Sequence, residues 1–406
     1  MSIGKLFKLF LAIVLALPAG GCWNRVELNE IGIVSATGVD LKEGKWQISY
    51  QVVIPQAISG NVGTPSSAAA VNVFSTTGDS FRSAISRASQ ETSRRLYFAH
   101  NQIVIISQEA ARSGLEQLFD VYLRNADSRE TVSVFLAKGS ARRMLEQLIP
   151  LEKIPGAAIQ RMIANEEANS SVFREMTMHD VLFDLLGASQ ATGIPSLTVA
   201  GSSESLDQAD KLSRTNTPSK VRLNDLGLID KDRLVGWISK SESRGVMWLA
   251  GHIKRATVAF SCREDDKGLK ESSVLVTRAK TKLRPEKSGG KWVMHVAVDA
   301  EGTLMEYNCE GDLTKPGDVG KVEKAIEEEI KREMELGWQA VRKHKTDVVG
   351  FGGSIRQNDS KAWKSMKDDW PEEFSRMDAR LSVRMKVGTT GMSGSGFKKT
   401  QKKARS

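Results

Sequence analysis

Apolar and polar positions fall into two rhythms along this chain, one of period two and one of period 3.6. Ile31 to Asp40 and Trp46 to Ile54 are rich in β-formers, with Lys42-Glu43-Gly44-Lys45 between them and Pro55 as a stop. Two such runs around a short Gly-containing loop predict a hairpin. Val71 to Ser75 predicts another strand. Asp79 and Ser80 can cap a helix, and Phe81, Ala84, Ile85 and Ala88 repeat at helical spacing, predicting a helix to about Arg94. Gln102 to Ser107 reads as a buried strand and Ala110 to Leu123 as an amphipathic helix. Thr131 to Ala137 predicts a strand, and Ala141 to Leu148 a helix. Residues 152–186 predict helices, with Pro155 near a start and Thr177 capping the last, and Pro195 to Val199 predicts a strand. Residues 56–70 are rich in Ser, Ala, Gly and Pro and read as a loop.

Residues 201–220 are polar and show no apolar period, so they are the expected linker. Beyond them Val221 to Ile229 predicts a strand and Asp232 to Ser239 a helix. Ser272 to Arg284 alternates with a basic outer face. Lys291 to Glu301 is the expected partner strand, and Thr303 to Cys309 extends the pattern. Asp318 to Lys343 predicts a long helix with Val322, Ala325, Ile326, Ile330 and Trp338 on its apolar stripe. Leu381 to Val387 predicts a last strand. Strands followed by one long helix predict an α+β fold with at least two mixed domains. The expected organisation is a leader at 1–21, a first domain at 22–200, the linker at 201–220, a second domain at 221–390 and a basic tail at 391–406.

The leader changes the picture. Lys5 and Lys8 precede the apolar run Leu9 to Leu17, and Pro18-Ala19-Gly20-Gly21 lead into Cys22. A charged start, a short apolar core and small residues make a secretory signal. A cysteine directly after the small residues resembles a bacterial lipobox, in which the thiol is alkylated by diacylglycerol and becomes the first residue. Ala19 stands where Leu is usual. Cys22 is therefore the expected lipid attachment site, and two or more acyl chains make a stable anchor.

Composition adds exclusions. Of 406 residues, 40% are hydrophobic and 26% charged, which excludes a polytopic membrane protein, a collagen-like fibre and a wholly disordered chain. The net charge of +9 suits an anionic surface. Outside the cytoplasm that surface is lipid headgroup rather than nucleic acid. Lys398, Lys399, Lys402, Lys403 and Arg405 make the tail a candidate second membrane contact.

Candidate chemistry is sparse. His100, His179, His252, His295 and His344 show no zinc-binding spacing. There is no G-x-S-x-G, no P-loop and no C-x-x-C, and no motif for a cofactor. Gly350-Phe351-Gly352-Gly353 reads as a structural turn. Cys262 and Cys309 stand at strand ends, either as a disulfide or as two buried thiols. Trp237, Trp248, Trp363 and Trp370 read as core, with a ligand surface as the other use. Glu242-Ser243-Arg244-Gly245 reads as a turn or a partner-contact loop.

Several phrases together resemble one family. Cys22-Trp23-Asn24-Arg25-Val26-Glu27-Leu28-Asn29 is similar to the mature start of Ger(x)C proteins, and Ile31 to Asp40 to the strand that follows. Leu234-Val235-Gly236-Trp237, Glu242 to Gly245 and Trp248-Leu249 resemble the opening of the family's second domain. Asp347-Val348-Val349-Gly350-Phe351-Gly352 resembles its D-x-x-G-[FL]-G, and Trp363 with Trp370 its W-x6-W. Val383 to Gly391 resembles its last strand, with Gly388 near where Arg is common. The resemblance implies a lipoprotein C subunit of a nutrient germinant receptor, on the outer face of the spore inner membrane. The implied partners are an A-type subunit and a transporter-like B-type subunit, and the implied role is non-enzymatic. The competing classes are a solute-binding lipoprotein, a wall hydrolase and a general envelope scaffold. A deep polar cleft would favour the first of these, and a carboxylate pair or an activated nucleophile the second.

Overall fold

The structure is a computed structural model that describes residues 3–5, 7, 30–58, 69–124, 129–201, 206–209, 211, 216–217, 219–261, 270–309, 311–389 and 401. Cys22, Cys262 and nearly all of the 391–406 tail lie outside the described residues. The chain builds two sheets with helices packed on them, an α+β fold.

The first sheet has nine strands: β1 (Ile31–Lys42), β2 (Lys45–Val53), β3 (Val71–Gly78), β4 (Arg95–Tyr97), β5 (Ile103–Ser107), β6 (Ser133–Ala137), β7 (Ala191–Gly201), β8 (Ser219–Asp230) and β9 (Arg233–Ile238). Its order is β3-β2-β1-β5-β6-β7-β8-β9, with β4 beside the start of β1. The expected hairpin forms, with Lys42 opposite Lys45. The middle strands β1, β5, β6 and β7 run parallel. Both faces of β5 and β6 are covered, so every residue in them is buried and their sequences read as continuous apolar runs. Val104, Ile106, Val134 and Leu136 face helices α1 (Phe81–Ser86), α2 (Gln108–Ser113) and α3 (Glu116–Arg124). Ile103, Ile105 and Phe135 face the larger core with α4 (Ala141–Leu145) and α5 (Pro155–Asn169). Helix α6 (Met178–Leu185) starts at Thr177, which forms a capping box with Asp180.

Local signals shorten several expected elements. The helix expected from Ala110 to Leu123 breaks at Gly114, whose φ of 120° lies in the left-handed region. The helix expected from Ser80 to Arg94 stops at Ser86, and after one further turn the chain enters β4. The sheet also continues beyond the expected linker. Val199 pairs with Val221 and Leu228 with Gly236, so residues 219–238 extend the first sheet. Asp232 to Ser239, expected as a helix, therefore holds strand β9. The helix begins one residue later as α7 (Lys240–Ala250), because Ser239 and Glu242 form its capping box.

The second sheet runs β10-β11-β12-β13: β10 (Ala256–Phe260), β11 (Ser272–Ser288), β12 (Lys291–Glu306) and β13 (Asp378–Thr389). The two segments expected from Lys291 to Cys309 form one strand with an irregularity at Gly302 and Thr303. The long helix α8 (Pro316–Lys343) lies under the sheet, and its predicted stripe is buried or packed on the core. Helices α9 (Phe351–Asn358), α10 (Ser360–Met366) and α11 (Trp370–Arg376) follow before β13. No helix among the described residues is long and apolar enough to cross a membrane.

Candidate functional site

The Asp347 phrase, with its two tryptophans, lies where the second half of the chain meets Ser189 of the first. After α8 the chain turns through Asp347, and Gly350, with φ of 79°, leads into α9. The Asp347 carboxylate accepts from Phe351 N at 3.0 Å and Gly352 N at 2.7 Å. It also accepts from Ser189 Oγ at 2.6 Å and Trp370 Nε1 at 3.1 Å. Asp347 is buried, and burial pushes its carboxyl above the usual range while the four donors pull the other way. Gly352 must be glycine for contact reasons, since a Cβ there would sit 2.9 Å from Trp363 and 3.0 Å from Trp370. Those two indoles meet edge to face at 5.0 Å. The Gly350–Gly353 segment is thus a helix start whose first amides are already occupied, and it offers no cradle to a phosphate.

A second tie lies at the crossing of α7 and α8. Glu242 to Gly245 is helical here, neither the turn nor the loop expected from its composition. A Cβ on Gly245 would lie 2.0 Å from the Glu333 carbonyl and 2.8 Å from Gly337, so the backbones touch. Glu333 pairs with Arg244 at 3.3 Å and accepts from Trp248 Nε1 at 2.8 Å. Burial nevertheless pushes its carboxyl up. Ser243 Oγ donates to Val172 O at 2.6 Å, fastening α7 to the first half of the chain.

Beside the Asp347 tie opens a cleft of about 520 Å³. Arg174, Phe183, Asp184, Ser189, His252 and Gln357 line it from both halves, together with Asp347. Arg174 Nη2 donates to Asp180 Oδ1 at 2.7 Å. Burial, aided by the Arg174 charge, pushes the His252 imidazole down to about 4. In its neutral form Nε2 accepts from Arg174 Nη1 at 3.4 Å. Asp184 accepts from Thr192 Oγ1 at 2.8 Å, and burial pushes its carboxyl up. Phe183 and Leu186 stand at this end of α6, 72% and 75% exposed. The cleft thus presents the Arg174 guanidinium, a neutral imidazole and the carboxyls of Asp184 and Asp347 beside an apolar rim.

Of the residues singled out in the sequence, Cys22 and Cys262 lie outside the described residues. Cys309 is disulfide-bonded and half-buried, with Sγ 3.3 Å from Ser272 Oγ. Ser272 in turn pairs with Phe260 at the end of β10. Trp248, Trp363 and Trp370 are core residues, while Trp237 is half-buried and donates to Gln108 Oε1 at 2.8 Å. No group of three or more potential metal ligands occurs among the described residues. The sequence reading missed Arg174, Asp184 and Glu333. Arg174 and His252 are 78 residues apart in the chain, and no local pattern marks the pair.

The matches to known proteins follow this geometry. The model of the spore germination protein N-terminal domain matches residues 24–199, and that of the spore germination B3/GerAC-like C-terminal region matches 224–391. Spore germination protein KC of Bacillus subtilis (strain 168) is 29% identical over 372 residues, 90% of each chain. Spore germination protein B3 of the same organism is 23% identical over 401 residues, covering 96% of this chain and 100% of that one. The crystal structure of the GerBC protein superposes with a TM-score of 0.51 at 18% identity, covering 87% of this chain and 97% of that one, and so shares the fold. With both of the family's regions present in order, and the fold the same, the chain belongs to the Ger(x)C family of spore germination proteins.

Proposed function

We propose that this chain is the lipid-anchored C subunit of a nutrient germinant receptor. It works without making or breaking bonds, by binding A-type and transporter-like B-type subunits at the outer face of the spore inner membrane. The observation that carries this reading is the near end-to-end match to spore germination protein KC across both family regions. The use of Asp347 and Glu333 as internal ties supports it, because Asp347 accepts from four donors and Glu333 joins α8 to Arg244 and Trp248 of α7. Cys22 is the proposed acylation site, and Cys262 the proposed disulfide partner of Cys309. The test is extraction from spore membranes, mass spectrometry of the N-terminal peptide and identification of co-purifying proteins. Acylated Cys22 together with A-type and B-type subunits is the expected result. Membrane retention of Cys22→Ala unchanged from the parent would overturn the anchor, and lipidated protein without those partners would overturn the receptor role.

The cleft favours a second reading, direct capture of a small polar molecule. Its volume suits such a ligand, and polar groups of both signs converge in it beside an apolar rim. Thermal shift against succinate, glycine betaine and inorganic phosphate tests this. A shift in the parent that is lost in Arg174→Ala supports it, and no shift with any of the three removes it.

A further inference from the structure

The outer face of the second sheet carries a pattern that neither function above uses. Its inner side is buried against α7 and α8, with Val274, Val296, Val298 and Met385 in the core. On the outer side, Arg278, Lys280, Lys282 and Arg284 occupy successive outward positions of β11 and are exposed. On β13 the outward positions are Arg380, Ser382, Arg384 and Lys386, so three of the four are basic, and all are exposed. The register aligns them across β12. Lys280 lies opposite Asp299 and Asp299 opposite Arg384, and Arg284 lies opposite His295 and His295 opposite Arg380. Outward neighbours along a strand are about 6.6 Å apart, so these groups form a regular array.

The face has seven basic groups (278, 280, 282, 284, 380, 384 and 386) against four acidic ones, Glu286, Asp299, Glu301 and Asp378. Several of these pair: Arg278 with Glu301 at 3.3 Å, Arg384 with Asp299 at 3.7 Å and Arg284 with Glu286 at 3.6 Å. Lys282 also reaches Asp299, at 4.0 Å. The arginine side chains in these pairs are 81%, 85% and 73% exposed. Pairs this exposed are weak and leave their charges open to a stronger partner. From Thr389 the chain runs on into a sequence with five more basic residues, Lys398 to Arg405.

The chemistry of the face selects the partner. Its middle row is Lys282, Ala297 and Ser382, with no large apolar or aromatic side chain. A protein interface draws its affinity from desolvated apolar or aromatic anchors, which this row lacks. A single-stranded nucleic acid needs aromatic platforms, and this row has none. A spread array of long basic side chains suits many mobile anionic headgroups at once. We propose that this face of the second sheet rests on the anionic headgroups of a bilayer and sets the orientation of the body on the membrane. The proposal takes its setting from the membrane-anchored reading above but does not depend on the lipid.

The test uses unlipidated protein, residues 22–406 carrying Cys22→Ser, sedimented with vesicles of phosphatidylglycerol and phosphatidylcholine or of phosphatidylcholine alone. Binding is expected only to the mixed vesicles and is expected to be lost in 0.5 M NaCl. The variant Lys280→Glu/Lys282→Glu/Arg284→Glu should weaken it by about a hundredfold or more, at roughly 1 kcal/mol per basic group. A second variant, Arg380→Glu/Arg384→Glu/Lys386→Glu, tests the same face from another strand, and thermal melts show whether each variant folds. Truncation after residue 390 separates the face from the tail. Equal binding to both vesicles, binding that survives both folded variants, or binding that disappears with the tail alone would each overturn the proposal. Face-dependent binding to an oligonucleotide but not to vesicles would overturn it in favour of nucleic acid. Because the protein is unlipidated, failure here leaves the anchor at Cys22 to its own membrane-fractionation test.

Discussion

Asp347 and Arg174 face the same cleft and are built in opposite ways. Asp347 is 2% exposed and takes hydrogen bonds from four donors on three separate stretches of chain. Arg174 has a side chain 26% exposed, donates to Asp180 and His252, and lines the cleft. A charge enclosed by donors from distant segments ties those segments together, and removing it strands every donor. A charge lining a water-filled cleft gains water when its partners leave, so it contributes less to stability and is available to a ligand. Family-like phrases mark the first kind here and pass over the second.

The largest effect should come from breaking the enclosed charge. Asp347→Ala leaves four donors without their acceptor and should cost about 4 kcal/mol, on the order of 1 kcal/mol per donor. Denaturant unfolding followed by tryptophan fluorescence reads this directly, since Trp370 is one of the four. Next comes the pH response of the cleft. His252 titrates near 4 in the folded protein against 6.5 ordinarily. Between those values the unfolded chain binds a proton that the folded one refuses. Stability from this group is therefore complete above 6.5 and falls as the pH drops towards 4, by up to about 3 kcal/mol. Melts of the parent and His252→Gln across that range should diverge, the variant lacking this slope. Gly352→Ala should cost about 2 kcal/mol, because its methyl must displace Trp363 and Trp370. The smallest effect on stability belongs to Arg174→Ala, about 1 kcal/mol or less. A loss of several kcal/mol there would erase the contrast and make Arg174 a tie like Asp347.

Most of the elements were legible, and the misses have local causes. The hairpin at 31–54, the apolar β5 and β6 and the long helix α8 each carry a full period of their own pattern. Thr177 and Pro155 mark their helix starts as expected. Residues 232–239 misled because a short strand on one side of a capping box has too few residues to show a period. Gly114 sits inside an otherwise helical stripe, where one left-handed residue ends the helix. Of the site, the Asp347 phrase and the two tryptophans were visible as motifs, but their hydrogen bonding was not. Arg174, Asp184 and Glu333 carry no sequence signal, since a charged residue on a helix or loop usually faces water.

The sequence by itself determined the family, the α+β class, the order of most elements and the expectation of a lipid anchor at Cys22. These depend on short-range quantities: periodicity, caps and the order of residues in motifs. Only the tertiary structure decided that residues 219–238 complete the first sheet, that Gly245 lets two helices touch, and that Arg174 and His252 share a cleft. Each of these requires segments far apart in sequence to meet. Burial and hydrogen bonding, the terms that decide whether a charge is a tie or a contact, exist only after that meeting.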